Sequence, residues 1–296
     1  MTRKFTNKTI AIVGVVAFAA VVVSTSPVWT PLFAKGSEMT GFKRYPPEHF
    51  FTDPKQIALG KAIYDGDLAA VVRLIPGTDL NKPGINGGSP ILYALQETVP
   101  VEQDGTSERF AILSALVKAG ANPDPYSADS DKPTALDFIL LRKSNFAFRA
   151  LLDGGLDPNH LRHGEEPLIF SVASDDLMPS LKLLVDRRVD VDKRDSLGRT
   201  AIDEALASYQ FDAIDYLLAH GANPKNVDRL GTSFAWAVQV ALNHVDPNWP
   251  RRPRLLTIRD RLVALGVIWP PTTPKVLREQ MRAHGETPIP SPVLDK

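Results

Sequence analysis

Chemistry requires particular side chains at particular spacings, and this 296-residue chain offers few of them. Its six histidines stand at 49, 160, 163, 220, 244 and 284, and no two make a His-Glu-x-x-His pair or another ligand spacing. His160 and His163, three apart beside a turn, read as exposed turn residues. Asp190, Asp192 and Asp195 look faintly like a calcium loop. They lack its central glycine and distal glutamate, and turn formation accounts for them better. Glu165-Glu166 and Asp175-Asp176 are carboxylate pairs in turn-like sequence, where a general acid finds no dry pocket to shift its pKa. No Gly-x-Ser-x-Gly, phosphate-binding loop or dinucleotide fingerprint is present. The absence of cysteine excludes disulfides, thiolate metal sites, a cysteine nucleophile and a lipid-modified cysteine anchor. The expectation is a protein with no catalytic residue, no metal and no cofactor, and not an enzyme.

What the chain has instead is repetition. Leu116-Val-Lys-Ala-Gly-Ala-Asn-Pro123, Leu151-Leu-Asp-Gly-Gly-Leu-Asp-Pro158 and Leu217-Leu-Ala-His-Gly-Ala-Asn-Pro224 are copies of one phrase. Gly120, Gly155 and Gly221 lie 35 and then 66 residues apart. The copy missing from the doubled interval is Leu184-Val-Asp-Arg-Arg-Val-Asp-Val191, with Arg188 in the glycine slot. A period near 33 implies stacked units, each burying its apolar face only against its neighbours. Phe211, Ile214, Leu217 and Leu218 follow helical spacing and predict one buried stripe. Gly221 suits a left-handed helix end and Pro224 prevents continuation. Asp195, before Gly198 and Thr200, supplies turn and N-cap chemistry for the next helix.

Asp195-Ser-Leu-Gly-Arg-Thr200-Ala-Ile-Asp-Glu-Ala205 resembles the ankyrin signature, and Asp228-Arg-Leu-Gly231 repeats its opening. Ser89-Pro-Ile-Leu-Tyr-Ala94, Pro133-Thr-Ala-Leu-Asp137 and Glu165-Glu-Pro-Leu-Ile-Phe170 are looser versions. The resemblance runs from about Gln56 to Gly266. It implies an all-α ankyrin-repeat solenoid of about six helix-turn-helix units, with turns projecting from the helices. The usual histidine slot holds Leu92, Asp137, Ile169, Asp203 and Ala235, so that residue's standard hydrogen bonds are not expected. Tyr93, Phe138, Phe170 and Trp236 share one slot and are expected in the core.

The repeats are assigned to 56–268. Residues 58–74 form a first unit acting as the N-terminal cap, and Ser233–Val240 with Leu255–Gly266 form the last. Two insertions break the period. The acidic Glu97–Glu108 reads as a loop within the second unit, and the basic, proline-broken Asp246–Arg254 as a loop within the sixth. Each serves equally well as a contact point or a solvated spacer. Residues 269–296 read as an irregular proline-rich tail, with 275–282 able to form a helix.

At the other end, residues 9–34 carry no charge and Ile10–Val23 are apolar apart from Gly14, behind Arg3, Lys4 and Lys8. The 21 residues from Thr9 to Trp29 suffice to cross a bilayer core of about 30 Å. The expectation is an uncleaved signal-anchor at 9–29, a cytoplasmic basic stub at 1–8 and a linker at 30–55. The alternative is a signal peptide cut near Ser24-Thr25-Ser26, which Pro27 disfavours. Export without cysteine suits a bacterial inner-membrane protein whose repeats face the periplasm. The formal charge is zero, but removing the four basic residues before position 36 leaves 30 basic against 34 acidic. That balance argues against nucleic acid.

In ankyrin proteins the turn tips and the exposed side of the first helix line a concave contact surface. Carried onto this sequence, the resemblance implies Gln96 and Glu97, Leu141 and Arg142, and then Arg162, His163 and Glu165. It continues with Ser196, Leu197 and Arg199, and ends with Arg229, Leu230 and Thr232. The four arginines recur along the repeats and are expected to meet an acidic patch on a protein partner. Exported bacterial ankyrin proteins include immunity partners of type VI secretion effectors such as phospholipases. The expected role is therefore protein binding, either as accessory scaffold or as immunity protein, with an enzyme on a repeat scaffold as the disfavoured alternative.

Overall fold

The computed structural model describes residues 44–125 and 132–291. The expected membrane span at 9–29 lies outside them. Among the described residues no helix is long and apolar enough to cross a membrane. The chain divides after Leu156 into two compact units.

The first unit holds three helix pairs: α1 (Pro54–Asp65) with α2 (Leu68–Leu74), α3 (Pro90–Thr98) with α4 (Glu108–Lys118), and α5 (Ala135–Leu141) with α6 (Asn145–Asp153). Each helix begins at a short polar residue whose side chain accepts a backbone N–H: Asp53, Asp67, Ser89, Ser107, Thr134 and Ser144 in turn. The unit's core joins Leu59, Ile63, Val71, Tyr93, Leu95, Leu113, Leu116, Leu136, Phe148 and Leu151, all buried.

In the second unit a two-residue antiparallel pair, β1 (Leu161–Arg162) and β2 (Glu166–Pro167), precedes the first helix, so the chain is mostly rather than wholly helical. Three helix pairs follow: α7 (Leu168–Ser174) with α8 (Met178–Asp186), α9 (Ala201–Ala207) with α10 (Phe211–Ala219), and α11 (Phe234–His244) with α12 (Arg252–Ala264). The stripe of Phe211, Ile214, Leu217 and Leu218 is buried, as its spacing predicts. A last helix, α13 (Pro274–Ala283), covers the stretch 275–282 that the sequence allows as a helix within the tail, and its Arg278 is fully buried. The opposite boundary shifts. Phe50 and Phe51, expected in a linker, are buried with ring centroids 4.8 and 5.8 Å from Tyr93. The acidic insertion is shorter than its sequence suggests, because α3 continues to Thr98 and a 3₁₀ turn follows over Val99–Val101.

Two series of left-handed residues fix the turns. Gly120, Gly155, Arg188 and Gly221 end the second helix of successive pairs, with φ of 96, 103, 60 and 96°. Lys143, Asp176 and Tyr209, 33 residues apart, sit between the two helices of a pair at φ 55, 58 and 53°. A third regularity joins neighbouring pairs. Past the second helix of five pairs a polar residue accepts the N–H two residues on, as Asp79, Asn122, Asp157, Asp190 and Asn223 do. The residue two further on reaches the next repeat. Asn81 accepts from the Asn122 N–H at 2.8 Å, Asn159 from Asp190 at 2.9 Å, and Asp192 from Asn223 at 2.8 Å.

The histidine slot has a substitute in two repeats. Asp137 and Asp203 form capping boxes with Thr134 and Thr200, each carboxylate accepting the threonine N–H at 2.8 Å. The last repeat corrects the expected register by one residue. Ser233, not Thr232, caps α11 and accepts the Trp236 N–H at 3.2 Å. Trp236 therefore occupies the histidine slot and is half-buried, whereas Tyr93, Phe138 and Phe170 are buried as expected.

Two stability predictions follow from these positions. Arg188→Gly should stabilise the chain by about 0.5–1 kcal/mol, since a left-handed L-residue costs roughly 1–2 kcal/mol and glycine's extra unfolded freedom returns part of that. A lower urea midpoint for this variant would contradict the strain assigned to Arg188. Leu217→Ala should cost about 2–5 kcal/mol through a core cavity, and an unmoved midpoint would refute its burial.

Candidate protein-binding surface

In the second unit the expected contact residues fall on the turns that precede the first helix of each pair. Asp195 builds one such turn by accepting the N–H groups of Leu197 and Arg199, both at 2.9 Å, while its own N–H donates to the Arg199 carbonyl. Asp228 builds the next in the same way, accepting from Leu230 at 2.8 Å and Thr232 at 2.7 Å. Gly198 and Gly231 complete them at φ 81 and 76°. The two turns are tied together, because the Arg229 N–H donates to the Leu197 carbonyl at 2.8 Å. Ser196, Leu197, Arg199, Arg229, Leu230 and Thr232 thus form one continuous stretch. Arg162, His163 and Glu165 lie on the β1–β2 hairpin, where His163 takes the left-handed conformation at φ 50°. Leu141 and Arg142 close α5 in the first unit, with Leu141 50 % exposed.

The arginines are not the free cations that the sequence suggests. In the first unit, Arg142 pairs with Glu102, which also accepts from the Ser144 hydroxyl, and its side chain is only 8 % exposed. On the hairpin, Arg162 donates to the Ser171 hydroxyl and lies 3.4 Å from Glu166, at 18 % exposure. Arg199 is held between Asp195 at 2.7 Å and Glu204 at 2.5 Å. Arg229 is exposed and donates to the Ser196 carbonyl at 3.1 Å. Charge on the turns is therefore largely balanced within the chain. Gln96 and Glu97 are buried, not on a surface. Glu97 bonds Arg44 at 2.7 Å and Arg109 at 3.2 Å, and burial raises its pKa.

Sequence reasoning missed the covering of the third turn. Arg278 on α13 donates to the Leu230 carbonyl at 2.5 Å, and the Ile289 N–H donates to the Arg229 carbonyl at 2.6 Å. A side chain at Gly231 would meet Pro274 and Arg278 at 2.7 Å. The legible signal was Thr273-Pro274, an N-cap position followed by proline at the first helical position.

The histidines serve the helices. His220, His244 and His284 each end a helix with Nδ1 2.7–2.8 Å from the carbonyl four residues back. Among the carboxyls, burial pushes Asp203 up to about 6, against the lowering effect of the Thr200 N–H and hydroxyl. Between about pH 4 and about 6 the folded chain then keeps a proton that the unfolded chain has released. Stability contributed by Asp203 is fully present below its unfolded pKa and is lost as pH rises through that window, by up to about 3 kcal/mol. Glu204, Asp228 and Glu97 are also raised by burial and share this sign. The Asp203 share is read as a difference: wild-type stability should fall more steeply from pH 4 to 6 than that of Asp203→Asn. Parallel pH profiles would contradict it.

A family model described as ankyrin repeats, in three copies, matches residues 138–228. Among solved structures, the ankyrin repeat domain of Bcl-3, a member of the IkappaB family, is 23% identical. It aligns with a TM-score of 0.52 over 71% of this chain and 86% of its own. An ankyrin repeat domain from Acinetobacter baumannii AYE is 16% identical, with a TM-score of 0.49 over 70% of this chain and 97% of its own. A chain of the complex between a predatory endopeptidase and an immunity protein from Bdellovibrio bacteriovorus is 21% identical, with a TM-score of 0.45 over 68% and 97%. The Bcl-3 likeness establishes a shared fold and, with the family model, identifies residues 138–228 of this chain as ankyrin repeats.

Proposed function

We propose that this protein is a membrane-tethered, periplasm-facing ankyrin-repeat protein that acts by binding another protein. The observation that carries the binding role is the pair of linked turns at 195–199 and 228–232. Their backbones are held by Asp195, Asp228 and the Arg229–Leu197 bond, so the side chains they present are ordered before any partner arrives. Preordered contact loops reduce the entropy lost on association.

The tether rests on the uncharged run from Thr9 to Trp29 behind Arg3, Lys4 and Lys8, and the periplasmic orientation on that positive flank. Two roles use the same arrangement. An immunity protein would hold its toxin at the membrane, and an accessory protein would hold a resident envelope enzyme there. The identity of the partner separates them.

The test is affinity capture on the full-length protein from detergent-solubilised envelopes, with bound proteins identified by mass spectrometry. A stoichiometric hydrolase toxic to the cell supports the immunity role, and a resident envelope enzyme supports the accessory role. Recovery of the protein from the soluble cytoplasmic fraction, with no specific partner, would contradict the proposal.

A further inference from the structure

The loop before α12 builds a second candidate site, away from the arginines of the turns. Asp246 shapes the loop by accepting the Asn248 N–H at 2.7 Å on its carboxylate and the Trp249 N–H at 2.9 Å on its carbonyl. This places Trp249 with its ring centroid 5.0 Å from Tyr209 and 6.2 Å from Phe211. Arg251 lies against the same rings, its guanidinium carbon 4.7 Å from the Phe211 centroid and 5.9 Å from Trp249. One guanidinium N–H group donates to the Tyr209 carbonyl at 2.6 Å. Beside it is a cavity of about 330 Å³, whose lining includes Met178, Phe211, Arg251 and Arg254 and the carboxylates of Asp176 and Asp212.

The two arginines differ. Arg254 is committed to Asp212 at 2.7 Å and Asp215 at 3.0 Å. Arg251 pairs with no carboxylate among the described residues, and its ring contacts and carbonyl bond hold it in place. A guanidinium has five N–H donors, so a fixed one with a single carbonyl partner is prepared for bidentate binding of a carboxylate. We infer that this cavity is a recognition pocket for an aspartate or glutamate side chain carried on an extended segment of the protein partner. The inference rests on the binding role proposed above and adds the chemistry of the partner. The carboxylates of Asp176 and Asp212 in the same lining are acceptors for the N–H groups of an extended peptide.

The probe is a fluorescein-labelled peptide, Gly-Ser-Glu-Gly-Glu-Gly-Ser, compared with its glutamine counterpart by fluorescence anisotropy on the full-length protein in detergent. The glutamate peptide should bind at least tenfold more tightly, and Arg251→Gln should abolish that preference without moving the thermal midpoint. Met178→Trp, which fills the cavity while leaving Arg251 in place, should also lower affinity at least tenfold. Equal binding of the two peptides by the wild type would overturn the proposal, as would unchanged affinity in Met178→Trp. No glutamate preference in the wild type, with partner capture persisting, would reject the pocket and leave the binding role standing.

Discussion

Every helix pair here is too short to stand alone. Helices of 7–13 residues cannot hold themselves in water, and each pair has an apolar side that only a neighbour can cover. The constraint on which the rest depends is therefore the register between successive pairs. Within each unit that register has a specific chemical form: a side-chain oxygen of Asn81, Asn159 or Asp192 accepts the N–H that opens the following repeat. These rungs lie at the surface, so their contribution is one of alignment more than of burial. Leu116, Leu184 and Leu217, in the second helices of repeats that these rungs join, are buried.

The turns inherit their order from the same economy of short polar side chains. Asp195 and Asp228 accept backbone N–H groups, Asp137 and Asp203 cap helices, and histidines close them. Most groups that sequence patterning marks as chemical are consumed in this way. That includes Arg142, Arg162 and Arg199, whose partners Glu102, Glu166, Asp195 and Glu204 come from the chain itself. An internally balanced turn surface suits shape-based contact. Arg251, packed on aromatic rings and ion-paired to no carboxylate among the described residues, suits recognition of charge.

Much of the fold was legible because it repeats. The positions of Gly120, Gly155 and Gly221 announced the period, and Arg188 was readable as their counterpart because the phrase around it survived. The pattern failed where it was interrupted. Trp236 was placed one residue off because Thr232 and Ser233 are both competent caps, and only the folded turn shows Ser233 in that role. The tail helix was legible at 275–282 but its packing over the 228–232 turn was not, and Phe50 and Phe51 were hidden by lying before the first recognisable repeat. The candidate site was legible as positions but not as charge. Spacing names Arg142, Arg162 and Arg199, whereas their ion pairs link residues whose proximity depends on the folded backbone.

Amide hydrogen exchange at Asn122, Asp190 and Asn223 tests the register most directly. All three residues are exposed, so their N–H groups exchange slowly only if the rungs exist. The account predicts protection at all three in the wild type, and loss of it at Asp190 alone in Asn159→Ala. Fast exchange at these amides in the wild type would contradict it.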